Sequence, residues 1–95
     1  MSAAEAEASA PEPWRVVDGR LSASFRTASM VRGLEFVNRI VGEAEAADHH
    51  PDIDFRYGTV GLSLITHAID GLSDADIALA ETISRIAAEL EIEPA

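Results

Sequence analysis

Apolar residues recur at every second position in two stretches of the chain, residues 14–25 and 52–66. Such alternation is typical of β-strands that are buried on one face only. Within the first stretch, Asp18-Gly19 separates two extended runs, and this dipeptide favours a tight hairpin turn because it tolerates positive φ. Gly58 permits a turn at the middle of the second stretch. Each stretch is therefore predicted to form a β-hairpin.

Between and after these hairpins the apolar period lengthens to that of an α-helix. From about residue 28 to 46 the predicted buried stripe consists of Met30, Leu34, Val37, Val41 and Ala44, widened by Phe36 and Ile40. Pro51 predicts that this helix stops near His50, because a proline disfavours helical backbone in the residue before it. A second helix is predicted to follow Ser73, which has capping-box spacing to Asp76.

The order strand, strand, helix, strand, strand, helix predicts a two-layer α+β domain. We expect one four-stranded antiparallel sheet with both helices packed on one of its faces. The other face is left for solvent, a ligand or a second subunit. This single domain is predicted over residues 13–93. Residues 1–12 are mostly Ala, Glu, Ser and Pro, and they carry too little bulky apolar surface to offset their ordering entropy, so they are predicted to form a disordered acidic tail.

Composition narrows the classes of partner. The 95 residues carry a net charge of −10, and an acidic surface repels nucleic-acid phosphates and anionic lipid. No apolar run is long enough to span a bilayer and no signal peptide is evident, so we expect a cytoplasmic protein. The absence of Cys excludes disulfides and thiolate metal sites. Because so small a domain buries a low fraction of its surface, we expect a homodimer or homotetramer.

The candidate chemistry lies in three histidines, His49, His50 and His67, which fall in one short region. The first two lie at the predicted helix-to-strand turn, and the third lies at the exit of the next strand but one. If those two strands pair antiparallel, the third histidine returns close to the first two. Imidazole exchanges protons near neutral pH, so this cluster is a candidate for general acid–base catalysis.

Other interpretations of these residues remain open at this point. Three histidines and a water can bind catalytic zinc, but neighbours in an extended chain point to opposite sides, which disfavours a shared ion. A bare His-His-Pro is also typical of a solvated helix end. Asp76 could serve as a helix cap alone. Tyr57, in phase with the apolar residues of its strand, is expected to pack. Glu45 and Asp48 could be ordinary solvated residues, or they could hold a histidine tautomer.

The spacing of these residues resembles the signature of the pterin-4a-carbinolamine dehydratase family, Glu-x3-His-His-Pro-x5-Tyr-x9-His-x8-Asp. The matching positions are Glu45, His49, His50, Pro51, Tyr57, His67 and Asp76. The similarity runs roughly from Trp14 to Glu89, and the two-layer fold of the family agrees with the predicted order of elements. Family members usually carry a helix ahead of the Trp14 position, where this chain has a segment interrupted by proline.

This resemblance implies an enzyme that removes water from a 4a-hydroxytetrahydropterin to give quinonoid dihydropterin, without a metal or a cofactor. It implies that His49 and His67 are the two general acids, one for each face of the pterin, and that His50 binds and orients the substrate. The further substrate-binding candidates are Asp48, Glu45 and Asp76. The family also implies a role in tetrahydrobiopterin recycling and a link to an aromatic amino-acid hydroxylase.

A second class of function is compatible with the same resemblance. The fold is similar to that of dimerisation cofactors of a homeodomain transcription factor and of a chaperone-like assembly factor for a carbon-fixing enzyme. The chain could therefore be a non-catalytic interaction protein. The intact set of three histidines favours the enzyme, because a scaffold has no need of all three.

Overall fold

A computed structural model describes all residues from Met1 to Ala95 and confirms the predicted α+β class. The elements in chain order are α1 (Ala3–Ser9), β1 (Arg15–Val17), β2 (Arg20–Arg26), α2 (Met30–Ala47), β3 (Asp52–Phe55), β4 (Thr59–Leu64), α3 (Asp74–Glu89) and β5 (Glu93–Pro94). The strands form one antiparallel sheet in the order β1-β2-β4-β3, with β5 added against β2. The helices pack on one face of this sheet and enclose the core.

Both predicted hairpins are present. Asp18 and Gly19 have φ of 51° and 77°, the positive values that a two-residue turn between twisted strands requires. In the second hairpin, Asp52 at the start of β3 pairs with Ser63 near the end of β4. The chain that leaves β4 therefore returns to the point where β3 begins, which is the arrangement expected for the histidine region.

Helix α2 buries a different stripe from the predicted one. Its buried residues are Gly33, Phe36, Ile40 and Ala44. Met30, Leu34 and Val41, which were predicted to lie at the centre of the stripe, are about half exposed. The cause is close packing of α2 on the sheet edge, where the ring of Phe55 occupies the space that a side chain on Gly33 would need. An apolar strip on α2 is thereby left at the surface.

The N-terminal segment is helical, so the prediction of a disordered tail differs from the structure. Ser2 and Glu5 form a reciprocal capping box, and the Ser2 backbone N–H lowers the pKa of the Glu5 carboxyl. Glu7 accepts a hydrogen bond of 2.8 Å from the backbone N–H of Val16, which joins α1 to β1. Ala6 is fully buried in the core. Composition misled here because the capping box, the hydrogen bond from Val16 to Glu7 and the buried Ala6 hold this segment without bulky apolar residues.

The core is built around three aromatic rings that contact one another edge to face. Trp14 and Phe25 have ring centroids 6.5 Å apart, and Phe25 and Phe36 are 5.3 Å apart. The indole N–H of Trp14 donates to Ser84 Oγ at 2.9 Å, so its one polar group is satisfied. None of the helices combines the length and hydropathy needed to cross a lipid bilayer.

The altered stripe of α2 can be tested by comparing two β-branched residues of this helix. Ile40 is fully buried and Val31 is 79% exposed. We expect Ile40→Ala to lower the free energy of unfolding by about 2–5 kcal/mol. We expect Val31→Ala to change it by less than about 0.5 kcal/mol. Urea denaturation followed by circular dichroism measures both, and equal losses would contradict the observed orientation of the helix.

Candidate functional site

A cleft of about 450 Å³ opens at the end of the sheet where α2, β3 and β4 meet. It is lined by Asp48, His49, His50, Pro51, Asp52, Ile65, Thr66, His67 and Ala68. All three histidines of the chain thus border the same cleft. The predicted return of the third histidine to the first two is confirmed.

The end of α2 determines where the first two histidines lie. Asp48 adopts the left-handed conformation with φ of 50° and terminates the helix. The backbone N–H of His49 then donates to the Ala44 carbonyl at 3.1 Å. This anchors His49 against the helix end and lets the chain turn before Pro51 and the start of β3. The helix therefore stops at Asp48 itself, before the proline contributes.

Asp76 is a buried residue that holds His49 by a hydrogen bond and does not itself line the cleft. Its carboxylate Oδ1 lies 2.6 Å from His49 Nε2, and its side chain is fully buried whereas that of His49 is 15% exposed. The other oxygen, Oδ2, accepts the backbone N–H of Ser73 at 2.9 Å and the hydroxyl of Thr66 at 2.8 Å. Asp76 is thus both the capping-box residue of α3 and the partner of a histidine, and it reaches the cleft only through that histidine.

The hydrogen bonds of Asp76 determine which nitrogen of His49 carries a proton. An ionised carboxylate only accepts hydrogen bonds, and Asp76 has N–H and O–H donors on Oδ2. His49 Nε2 must therefore carry a proton to make the bond to Oδ1. The remaining nitrogen, Nδ1, is the one that can gain or lose a proton during a reaction.

His50 has a different carboxylate partner. Its Nε2 is paired with Glu45 Oε2, and the two side chains are 55% and 68% exposed. Glu45 thus contacts a histidine but does not line the cleft. The two adjacent imidazoles are held by separate carboxylates, one buried and one at the surface. No group of three or more His, Asp or Glu side chains is arranged to hold a metal ion.

His67 borders the cleft from the segment that follows β4. It begins a single 3₁₀ turn, His67–Ile69, that follows the end of β4. The turn is closed by an antiparallel bridge between Thr66 and Gly71. Its exposed imidazole therefore stands at the rim, on a loop that is pinned at both ends.

The two remaining residues considered in the sequence, Asp48 and Tyr57, lie in different parts of the structure. Asp48 borders the cleft through its place at the helix end. Tyr57 is 73% exposed, so the expectation that it packs is wrong. The reason is that β3 ends at Phe55 and Tyr57 lies in the turn itself, which the Arg56 N–H closes by donating to the Thr59 carbonyl at 2.9 Å. This turn is at the far end of the hairpin from the histidines.

Sequence reasoning missed two hydroxyl groups of the site, those of Thr66 and Ser73. Both lie in the hydrogen-bond network around Asp76. Ser73 was recognised only as a helix cap, and Thr66 only as the neighbour of His67. The available signal was that Thr66 stands directly before the third histidine and that Ser73 caps the helix that carries Asp76. Chain spacing does not show that the two hydroxyl groups meet.

Comparison with known proteins gives a consistent picture. The family model described as Pterin 4 alpha carbinolamine dehydratase matches residues 1–86. A provisionally named pterin-4-alpha-carbinolamine dehydratase of Herpetosiphon aurantiacus is 47% identical over 73 residues, which cover 77% of this chain and 76% of the relative. A protein with the same provisional name from Mycobacterium leprae is 42% identical over 73 residues, covering 77% and 78%.

Solved structures agree with the fold. A transcriptional coactivator/pterin dehydratase from Brucella melitensis matches with a TM-score of 0.85 and 27% identity, covering 92% of this chain and 97% of the other. A pterin dehydratase-like protein identified as a RuBisCO assembly factor in the alpha-carboxysome matches with a TM-score of 0.65 and 20% identity, covering 78% and 86%. The second likeness is one of fold alone.

The dual use of Asp76 predicts a specific loss of stability. Asp76→Asn replaces one accepting oxygen by an N–H donor group that faces other donors. We expect the free energy of unfolding to fall by about 1–3 kcal/mol, as for a buried group left without its partner. Asp74→Asn, in the same first turn but at the surface, is the matched control and should change little. Urea denaturation of both variants checks the difference, and an equally stable Asp76→Asn would contradict the assigned contacts.

Proposed function

The chain belongs to the pterin 4 alpha carbinolamine dehydratase family, and we propose that it eliminates water from a 4a-hydroxytetrahydropterin. The observation that carries this proposal is that all three histidines border one cleft large enough for a small flat heterocycle. Among the residues that line the cleft, only the histidines have a type of side chain that exchanges protons near neutral pH.

The reaction needs proton transfer at two atoms. The C4a–O bond breaks, and the departing hydroxide takes a proton from a general acid and leaves as water. The electron pair on N5 forms the C4a–N5 double bond, and the N5 proton passes to a base or to water. The product is the quinonoid dihydropterin. Because nothing is oxidised or reduced overall, positioned acids and bases suffice, and such catalysis typically contributes about 10²–10⁴-fold in rate.

His49 is suited to the role of a positioned acid. Its Nε2 is committed to Asp76, so the proton that it exchanges with substrate is carried by Nδ1. A carboxylate partner fixes the ring orientation of such a histidine, as in other acid–base pairs. Asp76 is on this basis a positioning residue for His49 and makes no direct contact with the pterin.

The other groups divide the remaining tasks. His67, which borders the cleft from the turn after β4, is the second general acid and serves the other face of the pterin. His50 orients the substrate, with Glu45 holding its ring. Asp48 borders the cleft and offers an acceptor for the amino and N–H donors of the pyrimidine ring. The substrate-binding set is thus His50 and Asp48, with Glu45 acting through His50.

In this proposal the protein serves tetrahydrobiopterin recycling in the cytoplasm. A 4a-hydroxytetrahydropterin forms when a pterin-dependent aromatic amino-acid hydroxylase transfers one oxygen atom to its substrate. The dehydratase removes the resulting hydroxyl group, so that the pterin can be reduced and used again. A hydroxylase of this class is the functional partner that the proposal implies.

The alternative is a protein of the same fold that binds a macromolecule and catalyses nothing. A spectroscopic dehydration assay with purified protein separates the two. We expect the protein to accelerate the loss of 4a-hydroxytetrahydropterin well beyond the buffer blank. A rate equal to that of the blank would refute the enzymatic proposal and favour an interaction protein.

Removing the third histidine should lower turnover without changing the fold. We expect His67→Ala to reduce kcat by about 10²–10⁴-fold, because a positioned acid is lost. Ile69→Ala, an exposed residue of the same 3₁₀ turn, is the matched control and should retain activity. Steady-state kinetics and circular dichroism are measured together, and either full activity or an unfolded chain in His67→Ala would count against the role assigned to it.

We also propose that the chain forms a homodimer or homotetramer through the apolar strip of α2. Met30, Leu34 and Val41 lie along this strip and are about half exposed in the single chain. An apolar strip on one helix is the surface that a second copy covers when helices pack in pairs. The strip lies on α2, and the end of this helix borders the histidine cleft. Assembly therefore leaves the cleft open only if the second copy packs along the length of α2.

A charge in this strip should weaken assembly. We expect Leu34→Glu to reduce the mass measured by light scattering, because association would bury an unpaired carboxylate. Val31→Glu, which adds the same charge at a more exposed position of the same helix, should leave the mass unchanged. A wild-type chain that is monomeric at all accessible concentrations would refute the assembly itself.

A further inference from the structure

The hydroxyl group of Thr66 occupies a central place in the hydrogen bonds behind the cleft. Its Oγ1 lies 2.8 Å from Asp76 Oδ2 and 2.7 Å from Ser73 Oγ. Thr66 stands directly before His67 in the chain. It is therefore the one residue that touches the partner of His49 with its side chain and adjoins the other proposed acid through its backbone.

The direction of these hydrogen bonds follows from the number of protons. A threonine hydroxyl has one proton, and the carboxylate of Asp76 can only accept, so Thr66 donates to Asp76. The hydroxyl of Ser73 must then donate to Thr66, while Ser73 Oγ accepts the backbone N–H of Ala75 at 3.3 Å. The result is a directed chain of donors from Ser73 through Thr66 into Asp76, in which each bond polarises the next.

This chain restricts the carboxylate of Asp76. Oδ2 accepts both the Thr66 hydroxyl and the Ser73 backbone N–H, which leaves Oδ1 for His49 Nε2. The carboxylate plane cannot rotate without losing one of these bonds. Without the hydroxyl of Thr66, one donor alone would hold Oδ2, and the imidazole of His49 would lose its fixed orientation.

The backbone of Thr66 holds the second proposed acid. Its N–H donates to the Gly71 carbonyl at 2.9 Å, and its carbonyl accepts from the Gly71 and Ile69 N–H groups at 3.3 and 3.2 Å. These bonds close the loop that carries His67. Any movement of Thr66 therefore shifts His49, through Asp76, and His67, through this loop.

We propose that Thr66 is a positioning residue that holds His49 and His67 in one relative arrangement across the cleft. This inference rests on the proposed dehydratase function for its kinetic consequence. Its structural part, that the Thr66 hydroxyl fixes the orientation of His49 through Asp76, stands apart from the reaction. The role differs from that of a substrate contact, because the single hydroxyl proton is already donated to Asp76.

The kinetic test compares Thr66→Val, which keeps the shape and removes the hydroxyl, with Thr66→Ser, which keeps the hydroxyl. We expect Thr66→Val to lower kcat by about 10–100-fold with KM changed by less than about threefold, since misplacing a catalytic group acts mainly on the chemical step. Thr66→Ser should recover kcat to within about threefold of the wild type. Thr59→Val, at the opposite end of β4, is the matched control and should behave as wild type.

A second readout follows His49 directly. With three histidines in the chain, ring ¹⁵N resonances can be assigned by single substitutions. We expect the wild-type spectrum to show His49 with its proton on Nε2. Thr66→Val should keep that proton on Nε2, because the carboxylate can only accept, but it should shift and broaden the His49 ring resonances as the ring samples more than one orientation. Thr66→Ser should restore the wild-type spectrum. Thr66→Ala serves the same purpose as Thr66→Val should the latter fail to fold by circular dichroism.

The outcomes separate this inference from the proposed function. If the wild type lacks dehydratase activity, the function fails, and the ¹⁵N spectra still decide whether Thr66 positions His49. His49 ring resonances that are unchanged in position and width in the hydroxyl-free variants would overturn the inference. So would a rise in KM with kcat preserved, because that pattern identifies Thr66 as a substrate contact.

Discussion

The structure of the site depends on one buried carboxylate and the donors that surround it. Asp76 has no exposed surface, and a buried charge without partners would be strongly destabilising. Its three hydrogen-bond donors come from three parts of the chain: His49 from the end of α2, Thr66 from the exit of β4, and the backbone N–H of Ser73 from the start of α3. The need to satisfy this one group thus holds together the three segments that form the cleft.

The same constraint explains how two adjacent histidines come to have different environments. Asp48 in the left-handed conformation ends α2 and reorients the chain, so that His49 turns inward to Asp76 while His50 pairs at the surface with Glu45. An inward imidazole with a committed Nε2 is suited to delivering a proton at a defined atom. An outward imidazole with an exposed partner is suited to contacting a substrate that enters from solvent.

How much of the structure could be predicted from the sequence depends on whether a feature is set by neighbouring residues or by contacts between distant segments. Local signals were reliable: Asp18-Gly19 makes the tight turn, and Ser73 with Asp76 makes the capping box. The position of His67 was also predictable, because antiparallel pairing of β3 and β4 returns the chain to its starting point. Which of several similar apolar residues are buried could not be predicted. The stripe of α2 is set by the Phe55 ring against Gly33, a contact that helical periodicity does not contain. Burial of Ala6 is likewise a matter of where α1 docks on β1.

The histidine cleft and the exposed apolar strip occupy separate parts of this small fold, and that separation bears on its function. The histidines, their carboxylates and the hydroxyl groups gather at the end of the sheet, whereas the exposed apolar strip runs along α2 and the outer sheet face carries serines and charged side chains. Changes on the strip or the sheet face would leave the Asp76 network intact, so binding surfaces can vary while the cleft is kept.

The converse does not hold. Loss of the buried network would disturb the start of α3 and the exit of β4 together, because the same carboxylate serves both. A chain that retained the fold for binding alone would still need Asp76, Ser73 and Thr66, but it would have no physical need for imidazoles at 50 and 67, which contribute nothing to the core. Their presence around the cleft is therefore the strongest argument from this chain's own residues that it acts on a small molecule.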